Sequence, residues 1–376
     1  MTRRLVFAAV FVIVLSSLAN AADYWVYTGT YSRGPSKGIY LLKFQTTTGK
    51  FAPVGLAAES VSPSFLAIHP NRQFLYAVNE GNGAGSVSAF AVDSKTGKLT
   101  FLNTVSSQGS GPCHLALDRT GKWLAVANYN SGHMAVLPVG PDGKLGEQPI
   151  AVVRNEGSGP NKSRQQGPHA HEVVFSPDNR FLLLADLGLD KIFVYRFDPN
   201  TGKITPNDPP SASVAPGAGV RHFAFHPNGK ALYAIDELGN TITAFMYDAA
   251  KGVLAQFQTV STLPEGFTGN SSTAEIAVNS AGTVLYGSNR GNDSIAIFAI
   301  DPVKFTLTPK GHAPTLGRTP RHFTLDPSGR YLLAENQDSN NIAVFTVHPT
   351  TGDLTPMKPA VVETPIPVCA VFLEIH

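Results

Sequence analysis

Cysteine, tryptophan and methionine are scarce in this chain, and its charge is low. The 376 residues include two Cys, two Trp and four Met, and charged residues make up 15% of the total. Two cysteines are too few for a disulfide-built fold or a cysteine-rich zinc domain. With 29 Lys and Arg against 27 Asp and Glu, the chain lacks the basic excess of a general nucleic-acid binder.

Long apolar runs are absent except at the N-terminus. There, Arg3 and Arg4 precede the apolar run 5–18, and the small residues Ala19 and Ala21 follow it. This pattern predicts a secretory signal peptide over residues 1–21 and export to the periplasm or the medium. An uncleaved membrane anchor is the alternative, but the run is shorter than a full span. We expect residues 22–376 to form one domain without stable membrane insertion.

One stretch recurs along the chain and predicts its architecture. It is clearest at Pro320–Asn336 (PRHFTLDPSGRYLLAEN), which reads as a strand, a tight turn and a second strand. Similar stretches begin at Pro63, Pro112, Ala170, Val220 and Thr273, and a partial one at Pro367. The starts lie 47 to 58 residues apart, with only strand and turn signals between them. Such a period is typical of a β-propeller.

The two ends of the chain carry complementary parts of one further repeat. Residues 24–31, 38–45 and 51–58 match the second, third and fourth strands, whereas 367–375 match only the first. We therefore predict an all-β, seven-bladed β-propeller with four-stranded blades. The C-terminal strand would complete the N-terminal blade, a 1+3 closure that removes an open sheet edge.

The two cysteines, Cys113 and Cys369, fall on innermost strands of blades that are not neighbours in the sequence. A disulfide needs Cα atoms within about 7 Å of each other. We expect two free, packed thiols, although the predicted export would permit a bond.

The longest interval between repeats contains the polar insertion Arg154–Pro168 (RNEGSGPNKSRQQGP). It joins the outer strand of one blade to the inner strand of the next, and it carries Arg154, Lys162 and Arg164. Loops longer than their local norm are often functional lids. A plain surface excursion is the alternative.

Topology indicates where a site would form. The first strand of each repeat leaves one face and the second returns to it, so positions one and seventeen residues after each start are neighbours at one rim of the channel. The first set is Ser64, Cys113, His171, Arg221, Ala274, Arg321 and Val368. The second set is Glu80, Tyr129, Leu187, Glu237, Arg290 and Gln337. Charged groups from different blades should therefore converge on one channel mouth.

Other polar positions favour structural roles. The residue sixteen positions after each complete repeat start is always Asn or Asp. This indicates a shared side-chain bond to the following turn, with ligand or metal contact as the alternative. His222 and His322 directly follow first-set residues, and we expect them to pack between blades. His169 and His171 could suggest a metal, but no Cys, Asp or Glu completes a recognisable ligand set. We expect no cofactor and no metal; a divalent cation held by channel Asn and Asp side chains is the alternative.

Three motifs together carry a family resemblance. They are GPHAHEV at Gly167–Val173, RHFAFHPNGK at Arg221–Lys230 and the closing PVCAVF at Pro367–Phe372. With the repeat, they resemble the seven-bladed lactonase family, which includes bacterial propeller-type 6-phosphogluconolactonases and fungal carboxy-muconate cyclases. The resemblance covers nearly all of the chain after residue 21. In the cyclase branch the site is a His, two Arg and a Glu, and the matching positions here are His171, Arg221, Glu237 and Arg290.

The resemblance implies a 6-phosphogluconolactonase-like hydrolase that opens a small, anionic sugar-acid lactone. Arg221 and Arg290 suit the grip on a carboxylate or phosphate and on the developing oxyanion. Either Glu237 or His171 could transfer the proton, and we favour Glu237 as the acid/base. Further substrate contacts are expected from His169, Arg321 and Gln337.

Two other functions stay open. One is a muconate-type cycloisomerase, which the same four residues would serve, and the other is a propeller that binds a partner at one face without catalysis.

The same residues also have a purely structural interpretation, in which Arg221 and Glu237 form a structural ion pair and Arg290 is a solvated rim residue. Export conflicts with a phosphorylated, cytoplasmic intermediate as substrate, so the lactone and its phosphorylation are open. The sequence also leaves the oligomeric state open.

Overall fold

The computed structural model describes residues 22–81 and 83–375. These residues form 28 β-strands and one short 3-10 turn, Gln337–Ser339. The predicted signal peptide, residues 1–21, lies outside the described residues. Across the described ranges, no helix is long and apolar enough to cross a membrane.

The strands assemble into seven sheets of four, which we number as blades in chain order. Blade 1 holds β1 (Asp23–Thr30), β2 (Gly38–Gln45) and β3 (Lys50–Glu59). Blade 2 holds β4 (Leu66–Ile68), β5 (Phe74–Asn79), β6 (Ala84–Val92) and β7 (Leu99–Ser110). Blade 3 holds β8 (Pro112–Leu117), β9 (Trp123–Asn128), β10 (His133–Pro138) and β11 (Ala151–Arg154). Blade 4 holds β12 (Ala170–Phe175), β13 (Phe181–Asp186), β14 (Lys191–Phe197) and β15 (Ile204–Ser213).

The remaining blades follow the same plan. Blade 5 holds β16 (Val220–Phe225), β17 (Ala231–Asp236), β18 (Thr241–Asp248) and β19 (Val253–Ser261). Blade 6 holds β20 (Ser272–Val278), β21 (Val284–Arg290), β22 (Ser294–Ile300) and β23 (Leu307–Pro314). Blade 7 holds β24 (Pro320–Leu325), β25 (Tyr331–Asn336), β26 (Asn341–Val347) and β27 (Leu354–Glu363). The last strand, β28 (Pro367–Glu374), returns to blade 1.

The closure of the ring is as predicted. Strand β28 pairs antiparallel with β1, with Thr28 opposite Ala370 and Tyr24 opposite Glu374, so blade 1 has the order β28-β1-β2-β3. The all-β, seven-bladed architecture with 1+3 closure is confirmed. Both cysteines are buried and free, as expected.

Adjacent blades pack through alternating apolar side chains and are tied at their turns. Residues of blades 4 and 5, such as Leu183 and Leu232, share one buried cluster. Buried tyrosines donate their hydroxyls to turn carbonyls of the next blade, as Tyr27 does to Gly97 at 2.9 Å and Tyr76 to Gly143 at 2.9 Å. Gly97 has φ +70° and no room for a Cβ. The recurring Gly turns are therefore structural.

The Asn and Asp residues sixteen positions after each repeat start make the expected bonds at the following turn, and several also bond to the preceding blade. Across the turn, Asn128 Nδ2 donates to the His133 carbonyl at 3.2 Å, and Asp236 Oδ2 accepts from the Thr241 hydroxyl at 2.8 Å. The Nδ2 of Asn128 donates to the carbonyl of Ser107 at 2.9 Å, and that of Asn289 donates to the carbonyl of Thr262 at 2.8 Å. Both acceptors lie at the end of the preceding blade, so these bonds also tie neighbouring blades together. Asp186 accepts from the amide of Gly188 in the following turn and from that of His169 before its own blade.

A β-bulge at the start of the innermost strands aims two successive residues at the channel. In blade 5, Val220 pairs with Asp236 and His222 with Ile235, which leaves Arg221 as the extra residue. An extra residue interrupts the side-chain alternation. His222 therefore faces the channel, where its ring lies 6.2 Å from that of Phe65 in blade 2. The prediction that His222 and His322 pack between blades was wrong, since both line the channel.

Candidate functional site

One mouth of the channel opens into a polar cavity of about 430 Å³. Its walls come from the starts of the innermost strands, from the ends of the second strands and from the inserted loop. The lining residues are Tyr31, Glu80, Cys113, Tyr129, Asn130, Arg164, His171, Glu237, Ser272, Arg290 and Arg321. Most of them belong to the two sets that topology assigned to this rim.

Glu237, which directly follows β17, carries the carboxylate on which three guanidinium groups converge. Its Oε2 lies 2.8 Å from Arg290 Nη2 and 3.2 Å from Arg221 Nε. Its Oε1 accepts a hydrogen bond of 2.5 Å from Arg164 Nη2. Arg221 Nε has ion-pair distance but no hydrogen-bond geometry, so this residue contributes charge more than a directed bond.

The electrostatics of this cluster keep Glu237 ionised. Burial alone would raise the pKa of its carboxyl group, but Arg290, Arg221 and Arg164 outweigh burial and lower that pKa below its usual range. Burial and the neighbouring Arg290 lower the pKa of Arg221 to about 10, so this guanidinium is also charged at neutral pH. Arg221 is 2% exposed and also donates to the carbonyl of Ala274 at 2.5 Å.

His171 presents an uncharged imidazole to the cavity. Its side chain is buried, and burial together with Arg221 lowers its pKa well below the usual value. The ring meets Tyr129 edge-on at 5.6 Å and His222 at 5.0 Å. Its Nδ1 is buried and has no hydrogen-bond partner in the described chain. The uncharged imidazole lines the cavity, where the ring can accept a proton.

The opposite wall holds a second carboxylate and a further cation. Glu80 Oε2 accepts hydrogen bonds from the hydroxyls of Tyr31, at 3.1 Å, and Ser64. The guanidinium of Arg321 lies over the Tyr31 ring at 5.3 Å. Among residues 22–81 and 83–375, no carboxylate forms an ion pair with Arg321. This cation is therefore available to a ligand.

The cavity region has more positive than negative groups. Four guanidinium groups face two carboxylates, and His171 is neutral, which leaves an excess of two positive charges in this part of the channel. The cations are Arg164, Arg221, Arg290 and Arg321, and the anions are Glu80 and Glu237. A ligand with one or two negative charges would restore neutrality.

The inserted loop is anchored, and it delivers Arg164 to the site. Gln165 is fully buried, and its Nε2 donates to the carbonyl of Leu187 at 2.8 Å and to Asp190 Oδ1 at 2.7 Å. Arg164 also donates to the hydroxyl of Tyr129 at 3.0 Å. The sequence indicated the loop as a candidate lid, but it did not place Arg164 against Glu237.

Two predicted substrate contacts lie outside the cavity wall. The ring of His169 stacks on that of Tyr129 at 4.5 Å, and its Nδ1 lies 2.9 Å from the Tyr129 carbonyl oxygen, so it supports the wall from behind. Gln337 begins the 3-10 turn after β25 and donates to Asp338 Oδ1 at 2.8 Å. It does not line the cavity.

Tyr31 is the residue that the sequence analysis missed although a signal was present. It directly follows β1, which is the second strand of blade 1, and so it occupies the same rim position as Glu237 does in blade 5. Rim positions are numbered from the first strand of each repeat. The first strand of this blade lies at the other end of the chain, so Tyr31 received no position number.

The sequence matches a family model described as "Lactonase, 7-bladed beta-propeller" over residues 25–372. A relative named 6-phosphogluconolactonase from Bacillus subtilis is 37% identical over 347 residues, which cover 92% of this chain and 97% of the relative. Another protein of that name, from Formosa agariphila, is 34% identical over 81% of this chain and 86% of its own length.

Solved structures give the same result. A putative 6-phosphogluconolactonase from Bacteroides fragilis superposes with a TM-score of 0.87 at 38% identity, covering 93% of this chain and 98% of the other. A periplasmic gluconolactonase from Pseudomonas aeruginosa superposes with a TM-score of 0.88 at 31% identity, covering 94% and 100%. The chain therefore belongs to the seven-bladed β-propeller lactonase family.

Proposed function

We propose that this protein is a hydrolase that opens the ring of a sugar-acid lactone, as its relatives' name 6-phosphogluconolactonase indicates. The observation that carries the proposal is the uncharged imidazole of His171, which lines the cavity beside a cluster of guanidinium groups. A lactonase needs a proton acceptor for water and fixed positive charge for the oxyanion. Both needs are met within one cavity.

The reaction assigns each group a defined task. His171 accepts a proton from water as the water oxygen attacks the lactone carbonyl carbon, and Arg290 and Arg321 stabilise the negative oxygen of the tetrahedral intermediate. When the intermediate collapses, the bond to the ring oxygen breaks. The proton on His171 passes to this leaving oxygen, so water and lactone become one hydroxy acid.

Glu237 has a different role from the acid/base role that the sequence favoured. Three guanidinium groups engage both of its carboxylate oxygens in ion pairs, so neither oxygen is free to take a proton from water. We assign it the orientation of Arg221 and Arg290, whose charges it balances while the cavity is empty of substrate. The excess of positive charge then favours a lactone that carries a carboxylate or phosphate group.

Export is the second part of the proposal. Residues 1–21 have the features of a signal peptide, and a structural relative carries the name periplasmic gluconolactonase. We infer that the protein acts outside the cytoplasm. An unphosphorylated sugar lactone is then a substrate to compare with 6-phosphogluconolactone.

The test is the hydrolysis of both lactones by the purified protein, above the spontaneous rate. We expect His171→Gln to lower kcat by about 10²- to 10⁴-fold, the usual contribution of a proton-transfer group. His348→Gln is the matched control, because His348 lies in an exposed turn. No turnover on either lactone by the unmodified protein would overturn the proposal.

A further inference from the structure

A second cluster of titratable groups lies in the channel at the level below the catalytic cavity. It consists of His114 at β8, Glu172 at β12 and His222 at β16, which are 5%, 6% and 2% exposed. One potential ligand atom from each residue lies within 4.8 Å of those of the other two. The three residues come from three consecutive blades, and the lactonase mechanism does not use them.

We propose that His114, Glu172 and His222 form a binding site for one divalent transition-metal ion in the central channel. Two imidazole nitrogens and one carboxylate oxygen form a donor set that suits zinc, iron, cobalt or nickel rather than calcium or magnesium. This site is distinct from the His169 and His171 pair and from the channel Asn and Asp side chains considered above.

His222 has the geometry of a prepared ligand. Its Nδ1 lies 3.0 Å from Glu275 Oε2, so a proton on Nδ1 is held by that carboxylate. Its Nε2 is buried and has no hydrogen-bond partner within the described residues. A carboxylate that holds one ring nitrogen fixes the tautomer in which the other nitrogen can bind a metal.

Glu172 leaves one oxygen for the same centre. Its Oε2 accepts a hydrogen bond from the amide of Phe223 at 2.6 Å. Its Oε1 lies 3.7 Å from His114 Nε2, which is too long for a hydrogen bond. Two donor atoms that each lie about 2 Å from a shared metal ion have a separation of this order.

The charge of the channel at this level also favours a cation. Three buried carboxylates, Glu172, Glu275 and Glu335, have histidines as their ion-pair partners. The nearby guanidinium of Arg221 already pairs with Glu237. A divalent ion would place a full positive charge beside Glu172.

One contact opposes metal binding. The amide of Val173 lies 3.4 Å from His114 Nδ1, and a metal on Nε2 would place the ring proton on Nδ1, facing that amide. Binding of a metal ion to His114 Nε2 would therefore break this long hydrogen bond. A loaded site would also connect blades 3, 4 and 5 directly beside His171 and Arg221.

The experiment uses the purified full chain, stripped with a chelator and titrated with Co²⁺ as a spectroscopic probe. We expect one Co²⁺ per chain, visible as d–d absorption, with displacement by Zn²⁺. Glu172→Gln and His222→Gln should each weaken Co²⁺ binding by more than about tenfold. Glu335→Gln is the matched control, because Glu335 is a fully buried carboxylate that contacts His322 and lies outside the ligand set, and it should retain the binding.

Three results would overturn the site: the absence of stoichiometric Co²⁺ binding, unchanged binding in both ligand variants, or loss of binding in the control alone. If a ligand variant does not fold, X-ray absorption on the Zn²⁺-loaded unmodified protein replaces it. That spectrum should show two imidazole ligands and an oxygen ligand. A sulfur ligand would instead place the metal at a cysteine and contradict the proposal. None of these readouts depends on lactonase activity.

Discussion

Arg164 Nη2 lies 2.5 Å from Glu237 Oε1, although the two residues come from the inserted loop and from the end of β17. Glu237 is almost fully buried, whereas the Arg164 side chain is 40% exposed. The loop thus contributes a cation at the entrance of a cavity whose deeper cations belong to the blades. An entering anion can exchange places with Glu237 as the partner of Arg164.

Arg164→Ala should therefore weaken substrate binding more than it slows the chemical step. We expect KM to rise about tenfold, equivalent to about 1.4 kcal/mol, with kcat changed by less than about threefold. Michaelis–Menten analysis on the better of the two lactones measures both constants. Lys162→Ala, on the same loop, is the control and should leave KM unchanged. A lower kcat at constant KM would show instead that Arg164 acts in the transition state.

Glu237→Gln should destabilise the fold as well as reduce activity. The substitution leaves the buried Arg221 and Arg290 without their counter-ion, which typically costs about 3–5 kcal/mol. Thermal unfolding should show a clear drop in Tm. Glu80→Gln is a useful comparison, because hydroxyl groups rather than guanidinium groups hold Glu80, and its Tm should fall less. Equal losses would contradict the ion cluster.

The same ion cluster predicts a pH dependence of stability. Because the folded-state pKa of Glu237 is below the ordinary glutamate value of 4.5, its contribution to stability is full above that pH. The contribution is lost as the pH falls further, when the unfolded state binds the proton first. The Tm difference between the unmodified protein and Glu237→Gln should thus be constant from pH 8 to about pH 5 and shrink at lower pH. A difference that shrinks already between pH 8 and 6 would contradict the depressed pKa.

The fold could be predicted because its signals are local and repeated. Each blade encodes its inner hairpin in one short stretch, such as Pro320–Asn336, and the partial repeats at the two ends predict the closure. The rim residues followed from the same register, because cross-strand neighbours are fixed once the turn is known. The register places His171, Arg221, Glu237 and Arg290 among thirteen rim positions, and the family resemblance singles out these four.

Two features depend on contacts that the sequence does not display. The position of Arg164 depends on the anchor of Gln165 at Asp190, which lies 25 residues away in the chain. The channel-facing orientation of His222 and His322 depends on a bulge, and simple alternation predicts the opposite face. Gln337 lies outside the cavity wall, because a 3-10 turn begins at that residue.

Asp236→Asn should stabilise the protein at neutral and alkaline pH. Burial raises the pKa of Asp236 to about 7, and its Oδ1 has no partner among the described residues. The Asp236 carboxyl group of the unfolded chain loses its proton above the ordinary pKa of 3.8, whereas that of the folded protein keeps its proton up to about pH 7. The free energy of unfolding therefore falls as the pH rises from about 4 to 7. The equivalent residue in blades 3 and 6 is Asn, and Asn does not titrate.

The measurement is the urea midpoint of both proteins between pH 5 and pH 8.5. We expect the gap in favour of Asp236→Asn to widen with pH up to about 7 and to stay constant above it. Asn289→Asp, at the same position in blade 6, is the reverse control and should introduce the loss. A gap independent of pH would mean that Asp236 is ionised in the folded state throughout.

Removal of residues 365–376 should abolish cooperative folding. The deletion removes β28, whose residues pair with β1 from Tyr24 to Thr30 and bury Cys369 completely. The remaining chain has six complete blades and a first blade of three strands, in which β1 is an unpaired inner edge. The deletion therefore removes the closure of the ring as well as local contacts. Removal of residue 376 alone is the control, because it keeps β28 and the hydrogen bond of 2.9 Å from the Ile375 amide to the Asp23 carbonyl. Circular dichroism melts should show a sharp transition for the control and a broad, low one for the deletion, and a synthetic peptide of 365–376 added in trans should partly restore the transition. A deletion that melts as sharply and as high as the full chain would mean that the six complete blades carry the stability on their own.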